Sequence, residues 1–480
     1  GTQEHDCYFF SHNKWAIQKF RQMKKTTNIA IVGAGLTGLT TAFYLKKNGC
    51  RVHVFEKANR AGGVIQTHHE QGFTFESGPN TGALSNPEAV ELFEDLQNDC
   101  SLENAKESAK ARWIWQNEKW HNLPSGPISG ICTPLFCVTD KLRLLSEPFR
   151  RKGSNPDETI ADLVRRRMGK SFLRNAVDPF VSGVYAGNPE TLVTRFALPK
   201  LYNLEQNYGS FIRGAIKKAK EHKTERDKKA TKSVFSAEGG LENLIKALVK
   251  NIGEENISTG CQSLSFEKTE GKQAYKHNGQ IFSHVISTIG AFALPEVFPF
   301  LPSEKIEQIG QMQYAKIALV ILGFKKWEGI PINAFGGLIP SAEKRNVLGI
   351  LFTSSFFKNR APEGGALLSV FTGGIRKPEF YKKPDAAIMD IVKREVCDML
   401  QLENFNPDIA RIFRYEHAIP QYSFESEQKL KAIAEIEKQF PGLILAGNIR
   451  NGIGMADRIK QGRTLADKTL LNALRKEKLG

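Results

Sequence analysis

A glycine-rich loop is the first feature of this sequence whose residue types and spacing could do chemistry. Residues 33–38 read Gly-Ala-Gly-Leu-Thr-Gly. In a G-x-G-x-x-G loop the first glycine permits a tight turn, the second lets the backbone approach a pyrophosphate, and the third lets a helix pack closely on a strand. The N-terminus of that helix then offers free N–H groups to phosphate. The loop therefore predicts a dinucleotide site.

The elements that must position this loop can be read on both sides of it. Asn28 to Val32 is a predicted strand, apolar spacing after the loop predicts a helix ending at Gly49, and Val52 to Phe55 is a second strand. This order describes a right-handed βαβ unit. Glu56 ends the second strand, where its carboxylate can accept hydrogen bonds from ribose hydroxyls. An acid at this position disfavours NADP, because NADP carries a 2′-phosphate.

Two further glycine-rich segments bear on which dinucleotide is bound. Arg60-Ala61-Gly62-Gly63 resembles the second motif of the FAD-dependent amine oxidase superfamily, which lies along the pyrophosphate. Near the C-terminus, a predicted strand from Leu443 to Ala446 ends in Gly447-Asn448, and residues 452–457 open a helix whose dipole can face a flavin. The superfamily has a motif of this kind at the same end of the chain. These segments favour FAD over NAD. Because no second G-x-G-x-x-G occurs, oxygen or a quinone is a simpler electron acceptor than a nicotinamide nucleotide.

The resemblance to the superfamily, together with the loop and Glu56, predicts the residues that contact FAD. In chain order they are Gly33, Ala34, Gly35, Leu36, Thr37, Gly38, Glu56, Lys57, Arg60, Gly62, Gly63, Val64, Gly78, Pro79, Asn80, Thr81, Ser263, Gly447, Asn448, Gly452, Ile453, Gly454 and Met455.

A longer run narrows the resemblance. Residues 178–189 (DPFVSGVYAGNP) resemble the signature of the oxygen-dependent protoporphyrinogen oxidase family, and segments 76–81, 141–149 and 196–210 are similar to that family too. The resemblance implies a flavoprotein of haem and porphyrin biosynthesis that oxidises protoporphyrinogen IX to protoporphyrin IX, with oxygen reoxidising the flavin to give hydrogen peroxide. No Ser-His-Asp arrangement and no metal-ligand cluster is evident, and no catalytic side chain is assigned, because the flavin carries the redox chemistry.

The same family predicts five substrate-binding residues. Arg112, in the segment KARWIW, is the predicted partner of a propionate, because a guanidinium can bind a carboxylate through two hydrogen bonds. Leu338, Leu351 and Phe371 are predicted to line an apolar pocket, with the Phe371 ring able to stack on a pyrrole. Gly183 is predicted to bring its backbone near the macrocycle. From the residues alone, Arg112 could equally be a surface arginine of an edge strand, and each leucine could be core.

The predicted fold class is α/β, with three parts. Residues 1–26 are treated as an N-terminal extension. The family implies a discontinuous Rossmann-like FAD domain (27–86, 233–295 and 437–480), a mixed-sheet substrate domain (87–112 and 296–436) and a helical membrane-binding domain (113–232). The apolar pattern predicts mostly helix from Pro87 to about Gly214 and a strand from Cys261 to Phe266.

Composition bounds the setting of the protein. The formal net charge of +16 suits an anionic membrane or a polyanionic substrate, and the odd number of cysteines, seven, fits a reducing compartment. No apolar run is long enough to span a bilayer. Residues 127–150 join apolar residues, Ile131 and Phe136 among them, to nearby basic ones and predict interfacial contact, although an amphipathic helix packed on its own domain fits equally well. The family resemblance favours membrane association, so we expect a cytoplasmic protein, peripheral on the cytoplasmic face of the membrane, and leave a homodimer open.

Several rivals remain at this point. Coproporphyrinogen III, which carries four propionates instead of two, is the closest alternative substrate. More distant alternatives are an amine oxidase, a carotene desaturase and a flavin-binding membrane protein without catalytic activity. The basic segment 213–232 reads as a solvated loop or fraying helix, and it has no interleaved aromatic residues for stacking on bases, so no nucleic-acid partner is expected.

Overall fold

The computed structural model describes residues 28–476 apart from residues 126 and 272. The predicted N-terminal extension, and residues 27 and 477–480 of the predicted FAD domain, lie outside the described residues. The side chain of Ile131, one of the apolar residues of the predicted interfacial segment, also lies outside them.

The strands form five sheets within the described part of the chain. In chain order they are β1 (Asn28–Val32), β2 (Arg51–Phe55), β3 (Thr67–Glu70), β4 (Phe73–Glu76), β5 (Gly82–Ala83), β6 (Leu102–Asn104), β7 (Arg112–Gln116), β8 (Lys119–Asn122), β9 (Val234–Ala237), β10 (Ile257–Ser258), β11 (Glu267–Lys268), β12 (Tyr275–His277), β13 (Gln280–Phe282), β14 (His284–Ser287), β15 (Tyr314–Phe324), β16 (Gly336–Leu338), β17 (Val347–Leu351), β18 (Ala366–Gly373), β19 (Ile409–Pro420) and β20 (Leu443–Leu445).

Helices make up much of the rest of the described chain. They span Leu36–Lys47, Pro87–Asp95, Pro127–Cys132, Val138–Leu145, Ile160–Arg167, Lys170–Phe172, Asp178–Tyr185, Thr194–Ala197, Pro199–Tyr208, Phe211–Lys220, Glu225–Lys228, Glu242–Ile252, Leu294–Val297, Ser303–Gly310, Thr353–Phe356, Asp385–Leu400, Ser426–Gln439 and Met455–Lys476. None of the helices that the structure describes is long and apolar enough to cross a membrane.

The five-stranded parallel sheet positions the glycine loops. Its strand order is β10-β2-β1-β14-β20, so segments from both ends of the chain meet in one sheet. Because all of its strands run in the same direction, their carboxyl ends share one edge. In open parallel sheets ligands bind at this edge, where neighbouring crossovers diverge. The loops after β1, β2, β14 and β20 all leave from it.

The seven-stranded sheet has the order β19-β15-β18-β17-β16-β7-β8 and is antiparallel except for the β16–β7 pair. Alternate residues of its strands point to opposite faces. One face packs against the helix Asp385–Leu400, whose Ile388, Val392 and Val396 are fully buried. The other face contacts the segment Ser77–Thr81 through Ser369 on β18 and Tyr415 on β19.

The helical region between β8 and β9 is held together by buried ion pairs. Arg167 is fully buried and pairs with Glu147 and Glu205, which are buried as well. Breaking such a pair by removing one partner is strongly destabilising, because it leaves an unpaired buried charge. These pairs give the helices Ile160–Arg167, Pro199–Tyr208 and Phe211–Lys220 a fixed arrangement.

The region from Pro87 to about Gly214 is mostly helical, as predicted, but it also contains β6, β7 and β8, which were not predicted, and β7 and β8 extend the seven-stranded sheet past residue 112. Because β6 pairs with β9 and β7 pairs with β16, pairing over a long sequence distance outweighed the local spacing of apolar residues in these strands. One secondary-structure prediction was wrong. The predicted strand from Cys261 to Phe266 is a turn followed by irregular chain. Leu264 and Phe266 are buried in the core, but no neighbouring strand pairs with this segment.

Candidate active site

The first glycine loop has the geometry that its spacing predicts. Gly33 adopts a positive φ of 98°, and its N–H donates to the carbonyl oxygen of Phe55 at 2.8 Å. Gly38 lies in the first turns of the helix Leu36–Lys47, and a Cβ there would lie 2.0 Å from the Gly33 carbonyl oxygen. A Cβ on Gly35, by contrast, would have no heavy atom within 4 Å, and no side chain caps the helix that follows.

Glu56 closes this loop from the neighbouring strand. One carboxylate oxygen accepts from the Ala34 N–H at 2.8 Å and the other from the Ala58 N–H at 2.9 Å. The Lys57 ammonium forms an exposed ion pair with Glu296. The Gln262 side chain donates to the Lys57 carbonyl oxygen, and the next residue, Ser263, is exposed.

The Arg60–Gly63 turn lies directly against the first loop. The Gly62 N–H donates to the Ala34 carbonyl oxygen at 2.8 Å, and a Cβ on Gly63 would lie 3.3 Å from the Gly35 Cα. The Arg60 guanidinium donates to the carbonyl oxygens of Gly63 and Ile65 and so holds the turn.

The segment from Ser77 to Thr81 joins the loops to the seven-stranded sheet. Asn80 donates to the Gly78 carbonyl oxygen and accepts a buried hydrogen bond of 2.6 Å from the Ser369 hydroxyl on β18. The Tyr415 hydroxyl on β19 donates to the Ser77 carbonyl oxygen at 2.7 Å. These two anchoring residues were missed by sequence reasoning, because nothing in a strand pattern marks a polar residue as facing a distant loop.

Around this segment, packing is close. A Cβ on Gly78 would lie 1.9 Å from the carbonyl oxygen of Val64, and the Val64 side chain itself is half-exposed beside it. The His68 imidazole is within hydrogen-bond distance of the Ser77 hydroxyl, and burial lowers the pKa of His68, which favours the neutral ring. Pro79 and Thr81 are partly exposed on the same segment.

The second glycine loop, residues 447–454, meets the first at the sheet edge. The Thr288 hydroxyl, just after β14, donates to the carbonyl oxygens of Val32 and Gly33, and a Cβ on Gly447 would lie 2.4 Å from the Thr288 carbonyl oxygen. Thr288 is thus wedged between the two loops. It is a further residue that sequence reasoning missed, although the sequence from His284 to Ile289 predicts a strand there.

Tyr422 and the last helix hold the other end of the second loop. The Tyr422 hydroxyl is within hydrogen-bond distance of the carbonyl oxygens of Asn448 and Gly452, and the Gly454 N–H donates to Asp457. The loop leads through Ile453 into the helix Met455–Lys476. That helix crosses Leu36–Lys47 closely, since a Cβ on Gly462 would lie 2.7 Å from the Thr40 Cβ.

These loops fit the predicted dinucleotide. The open space at Gly35 and the uncapped start of the helix Leu36–Lys47 are what a pyrophosphate needs, and Glu56 supplies acceptors for ribose hydroxyls. The second glycine loop places another helix N-terminus at the same edge. The donor set is made of backbone N–H groups, arginine and one acid, which suits a dinucleotide and offers no ligands typical of a metal. Among the residues described, no group of three or more His, Cys, Asp or Glu side chains is placed to hold a metal ion.

Four of the five predicted substrate residues lie on one face of the seven-stranded sheet. Cross-strand pairing places Arg112, Gly336, Leu351 and Ser369 in one row. The next row in the same direction contains Ile114, Leu338, Gly349 and Phe371. Because the rows are two residues apart, their side chains share a face. Ser369 anchors the Ser77–Thr81 segment from this face.

The side chains of this face are only partly covered. Leu338, Leu351 and Phe371 are half-buried, whereas Ile350 and Val370 on the opposite face are fully buried. Gly183, the fifth predicted residue, lies in the helix Asp178–Tyr185. A Cβ there would lie 2.3 Å from a Leu338 methyl carbon, so this helix covers part of the face.

The arginines on and around this face differ in whether a carboxylate pairs with them. Arg112 is exposed, with its guanidinium carbon 5.4 Å from the centre of the Phe335 ring, and no described carboxylate lies within ion-pair distance of it. Arg376, next to Gly183, is instead held by Asp178 at 2.7 Å and by the side chains of Ser182 and Asn188.

Comparison with known proteins agrees with this arrangement. The profile of the family described as flavin containing amine oxidoreductase matches residues 36–470. The mitochondrial protoporphyrinogen oxidase of Nicotiana tabacum is 30% identical, and the alignment covers 92% of this chain and 94% of that protein. The coproporphyrinogen III oxidase of Bacillus subtilis is 25% identical, with coverage of 92% and 98%.

Solved structures show the same fold. A candidate protoporphyrinogen oxidase from Exiguobacterium has a TM-score of 0.76 and 21% identity, over 93% of this chain and 99% of that chain. A reduced UDP-galactopyranose mutase has a TM-score of 0.69 and 17% identity, over 93% and 96%. At these identities the likeness shows the fold alone.

Proposed function

This chain belongs to the family of flavin containing amine oxidoreductases, and from that premise we propose that it oxidises protoporphyrinogen IX to protoporphyrin IX with molecular oxygen as the acceptor. The chain is an FAD-dependent oxidoreductase with a mixed α/β fold. The substrate, the acceptor and the individual site residues are parts of the proposal.

The observation that carries the proposal is the partly covered apolar face opposite the glycine loops. A tetrapyrrole is wide and apolar, and it carries its propionates on one side. Leu338, Leu351 and Phe371 offer apolar surface in two adjacent rows, and Arg112 lies at the β7 end of one of those rows. Such sites combine apolar walls with few polar groups that fix orientation.

The charge on this face also bears on the choice between substrates. Protoporphyrinogen IX has two propionates and coproporphyrinogen III has four. Arg112 has no carboxylate partner among the described residues, whereas Arg376 and Arg411 around the same face are paired with Asp178 and Glu70. An unpaired cation at this one end of the face suits the substrate with fewer propionates. The Bacillus subtilis relative, named for coproporphyrinogen III, keeps the other substrate as the second candidate.

The side chains of the chain would bind and orient rather than transfer protons. Bound FAD supplies the capacity to accept electrons from the substrate. Arg112 would hold a propionate through charge-assisted hydrogen bonds, and the Phe371 ring would pack on the macrocycle. The Ser369–Asn80 and Tyr415–Ser77 hydrogen bonds would keep this face at a fixed distance from the flavin loops.

The test is a parallel assay of purified holoprotein under air. Protoporphyrinogen IX and coproporphyrinogen III are supplied separately, and porphyrin fluorescence is followed against the autoxidation rate without protein. We expect faster porphyrin formation from protoporphyrinogen IX. A preference for coproporphyrinogen III would select the second candidate, and no rate above autoxidation with either substrate would reject both.

Oxygen is proposed as the acceptor because no second dinucleotide loop occurs in the sequence. Each pair of electrons removed from the substrate should then yield one hydrogen peroxide. A peroxide electrode or a peroxidase-coupled dye measures this ratio. Porphyrin formation that continues under argon with a quinone, without peroxide, would replace oxygen by a quinone in the proposal.

We further propose that the helical region makes a peripheral membrane contact. Val138, Leu142 and Leu145 are 69%, 59% and 65% exposed and lie on one side of a single helix, and Phe149 is 82% exposed just beyond it. Exposed apolar patches of this kind mark interaction sites. Nearby arginines, among them Arg150 and Arg151, suit anionic lipid.

Vesicle binding tests this contact. The holoprotein should sediment with vesicles containing phosphatidylserine, and Leu142→Ser combined with Phe149→Ser should abolish sedimentation without changing the FAD content. Equal sedimentation of both proteins would reject the patch as the contact.

A peripheral location on the cytoplasmic face of the membrane is proposed on the same grounds, and fractionation of cells expressing the protein tests it. Chromatography with light scattering tests for a homodimer.

A further inference from the structure

Three arginines are buried in the described part of the chain, and they differ in how their charge is balanced. Arg167 is 0%, Arg360 4% and Arg458 9% exposed. The first two donate to buried carboxylates: Arg167 to Glu147, and Arg360 to Glu103 at 2.8 Å. Arg458 has no carboxylate within ion-pair distance among the residues that the structure describes.

The partners of Arg458 are neutral oxygen atoms of the second glycine loop and of its own helix. Its Nη2 donates to the carbonyl oxygens of Arg450 and Asn451 at 3.0 and 2.8 Å, and its Nη1 donates to Oε1 of Gln461 at 3.0 Å. Its Nε is buried and has no acceptor within the described structure. The guanidinium therefore lies beneath the loop that leads into the helix Met455–Lys476.

This arrangement costs free energy unless an anion compensates it. Burial of an unpaired ion is unfavourable, and burial lowers the pKa of the Arg458 guanidinium, but an arginine stays protonated in proteins. The neighbouring Asp457 carboxylate accepts from the Gly454 N–H and forms no ion pair with Arg458, so its charge compensates the guanidinium only in part. Carbonyl and amide dipoles cancel less of a positive charge than a paired carboxylate would. The Arg458 guanidinium can therefore act electrostatically on a group bound on the far side of the loop.

We propose that Arg458 is a positioning residue that raises the reduction potential of FAD held at the second glycine loop. The inference rests on the flavin site proposed above and is independent of the substrate. Two-electron reduction of a flavin with uptake of one proton leaves a negative charge on the ring. A buried cation stabilises that charge more than it stabilises the neutral oxidised ring, because little solvent screens the interaction.

A purely structural role for Arg458 makes a different prediction. Gln461 also holds the loop, since it accepts from the Gly447 N–H at 2.9 Å and donates to the Arg450 carbonyl oxygen at 3.2 Å, but it carries no charge. Removing the Gln461 side chain should loosen the loop and lower the affinity for oxidised and reduced FAD by the same factor. Removing the charge of Arg458 should lower the affinity for reduced FAD more than that for oxidised FAD.

The experiment measures the two-electron midpoint potential of the holoprotein by reductive titration with a reference dye, without porphyrinogen. Arg458→Gln removes the charge and keeps hydrogen-bond donors, Arg458→Lys keeps the charge, and Lys460→Met removes an exposed charge from the same helix. We expect Arg458→Gln to lower the affinity for reduced relative to oxidised FAD about tenfold, equivalent to about 30 mV. Arg458→Lys, Gln461→Ala and Lys460→Met should stay near the parent potential.

A potential for Arg458→Gln equal to that of Arg458→Lys would overturn the proposal. So would a matched fall in the affinity for both flavin states, measured by fluorescence titration of the apoprotein with FAD in each state. Neither readout uses the substrate. A chain that fails to oxidise porphyrinogens but shows the expected potentials would therefore reject the proposed substrate and leave the role of Arg458 standing.

Discussion

The two sides of the candidate site are built from different materials. On the nucleotide side, the closest contacts are between backbone atoms: Gly38 lies against the Gly33 carbonyl oxygen and the Gly62 N–H donates to the Ala34 carbonyl oxygen. On the sheet side, the site consists of half-buried side chains such as Leu351 and Phe371, which project from paired strands. The nucleotide side depends on glycines at positions where a Cβ would collide with neighbouring backbone. The sheet side depends on which side chain each strand residue carries.

This difference sets how each side should respond to substitution. A Cβ added at a closely packed glycine of the nucleotide side must displace neighbouring backbone. A shortened side chain on the sheet side leaves the backbone pairing intact and changes only what the substrate touches. We therefore expect large losses of FAD where a new Cβ would meet backbone on the nucleotide side, and graded changes of KM from the sheet side.

Gly38→Ala should have the largest effect. Its Cβ would lie 2.0 Å from the Gly33 carbonyl oxygen, so loop and helix must separate, and we expect FAD to be lost and the melting temperature to fall. The measurements are the flavin-to-protein absorbance ratio and a thermal melt.

Gly35→Ala is the matched control for the fold. Its backbone is extended, with φ −76°, and its Cβ would meet no heavy atom within 4 Å. We expect the apoprotein to keep its melting temperature while FAD binds more weakly, because the methyl group occupies the space proposed for the pyrophosphate. Undiminished FAD affinity in Gly35→Ala would contradict the placement of the pyrophosphate.

The same contrast explains what could be predicted from the sequence. Glycine spacing predicted the first loop, because a close approach of backbone to backbone excludes every other residue, and the strands on both sides of it were predicted within one residue. Thr288, Ser369 and Tyr415 could not be predicted in this way. Their roles depend on contacts with loops far away in the chain, and a threonine, serine or tyrosine in a strand carries no local signature of such a contact.

Arg112→Ala should have the second largest effect, on the sheet side. Loss of a charge-assisted contact to a propionate should raise KM for protoporphyrinogen IX about tenfold or more, while FAD content and melting temperature stay unchanged. Steady-state kinetics by porphyrin fluorescence measures this. Lys119→Ala, an exposed cation on the neighbouring strand β8, is the control. An equal change of KM in both variants would mean that the general positive field, and not Arg112 itself, attracts the substrate.

Adjacent residues of β17 can separate the two faces of the seven-stranded sheet. Ile350 is fully buried against the helix side, and Leu351 is half-buried on the site side. Ile350→Ala should lower the free energy of unfolding by about 2–5 kcal/mol and leave KM unchanged. Leu351→Ala should cost less stability and raise KM several-fold. Denaturant melts and kinetics on the same preparations test the pair, and a KM effect confined to Ile350→Ala would reverse the assignment of the faces.

The overall architecture was only partly predictable, for a related reason. The long apolar run from Ala315 to Phe324 predicts a strand, and β15 begins one residue before it. The strands β7 and β8 were missed because β7 joins the sheet through β16, which lies more than two hundred residues further along the chain, and β8 joins it through a hairpin with β7. Local spacing cannot report such pairing. The assignments of the substrate residues stay predictions until these variants are measured.

Glu76→Gln should have the smallest effect. It tests the residue that precedes Ser77–Thr81, the segment that joins the glycine loops to the seven-stranded sheet. Glu76 is buried just before Ser77 and accepts from the Leu241 N–H and the Thr67 hydroxyl, both at 2.8 Å. Burial raises its pKa to about 7, against about 4.3 in an unfolded chain. Between these values the folded state binds the extra proton, so stability should fall as the pH rises through this window and level off above about 7.

Glutamine stays neutral at every pH, and its side-chain amide can still hydrogen-bond to the Leu241 N–H and the Thr67 hydroxyl. The melting temperature of Glu76→Gln relative to the parent should therefore rise by a few degrees between pH 5 and pH 8. The exposed Glu267→Gln should show no such rise, and a parallel pH dependence of all three proteins would mean that Glu76 is ionised in the folded protein throughout this range.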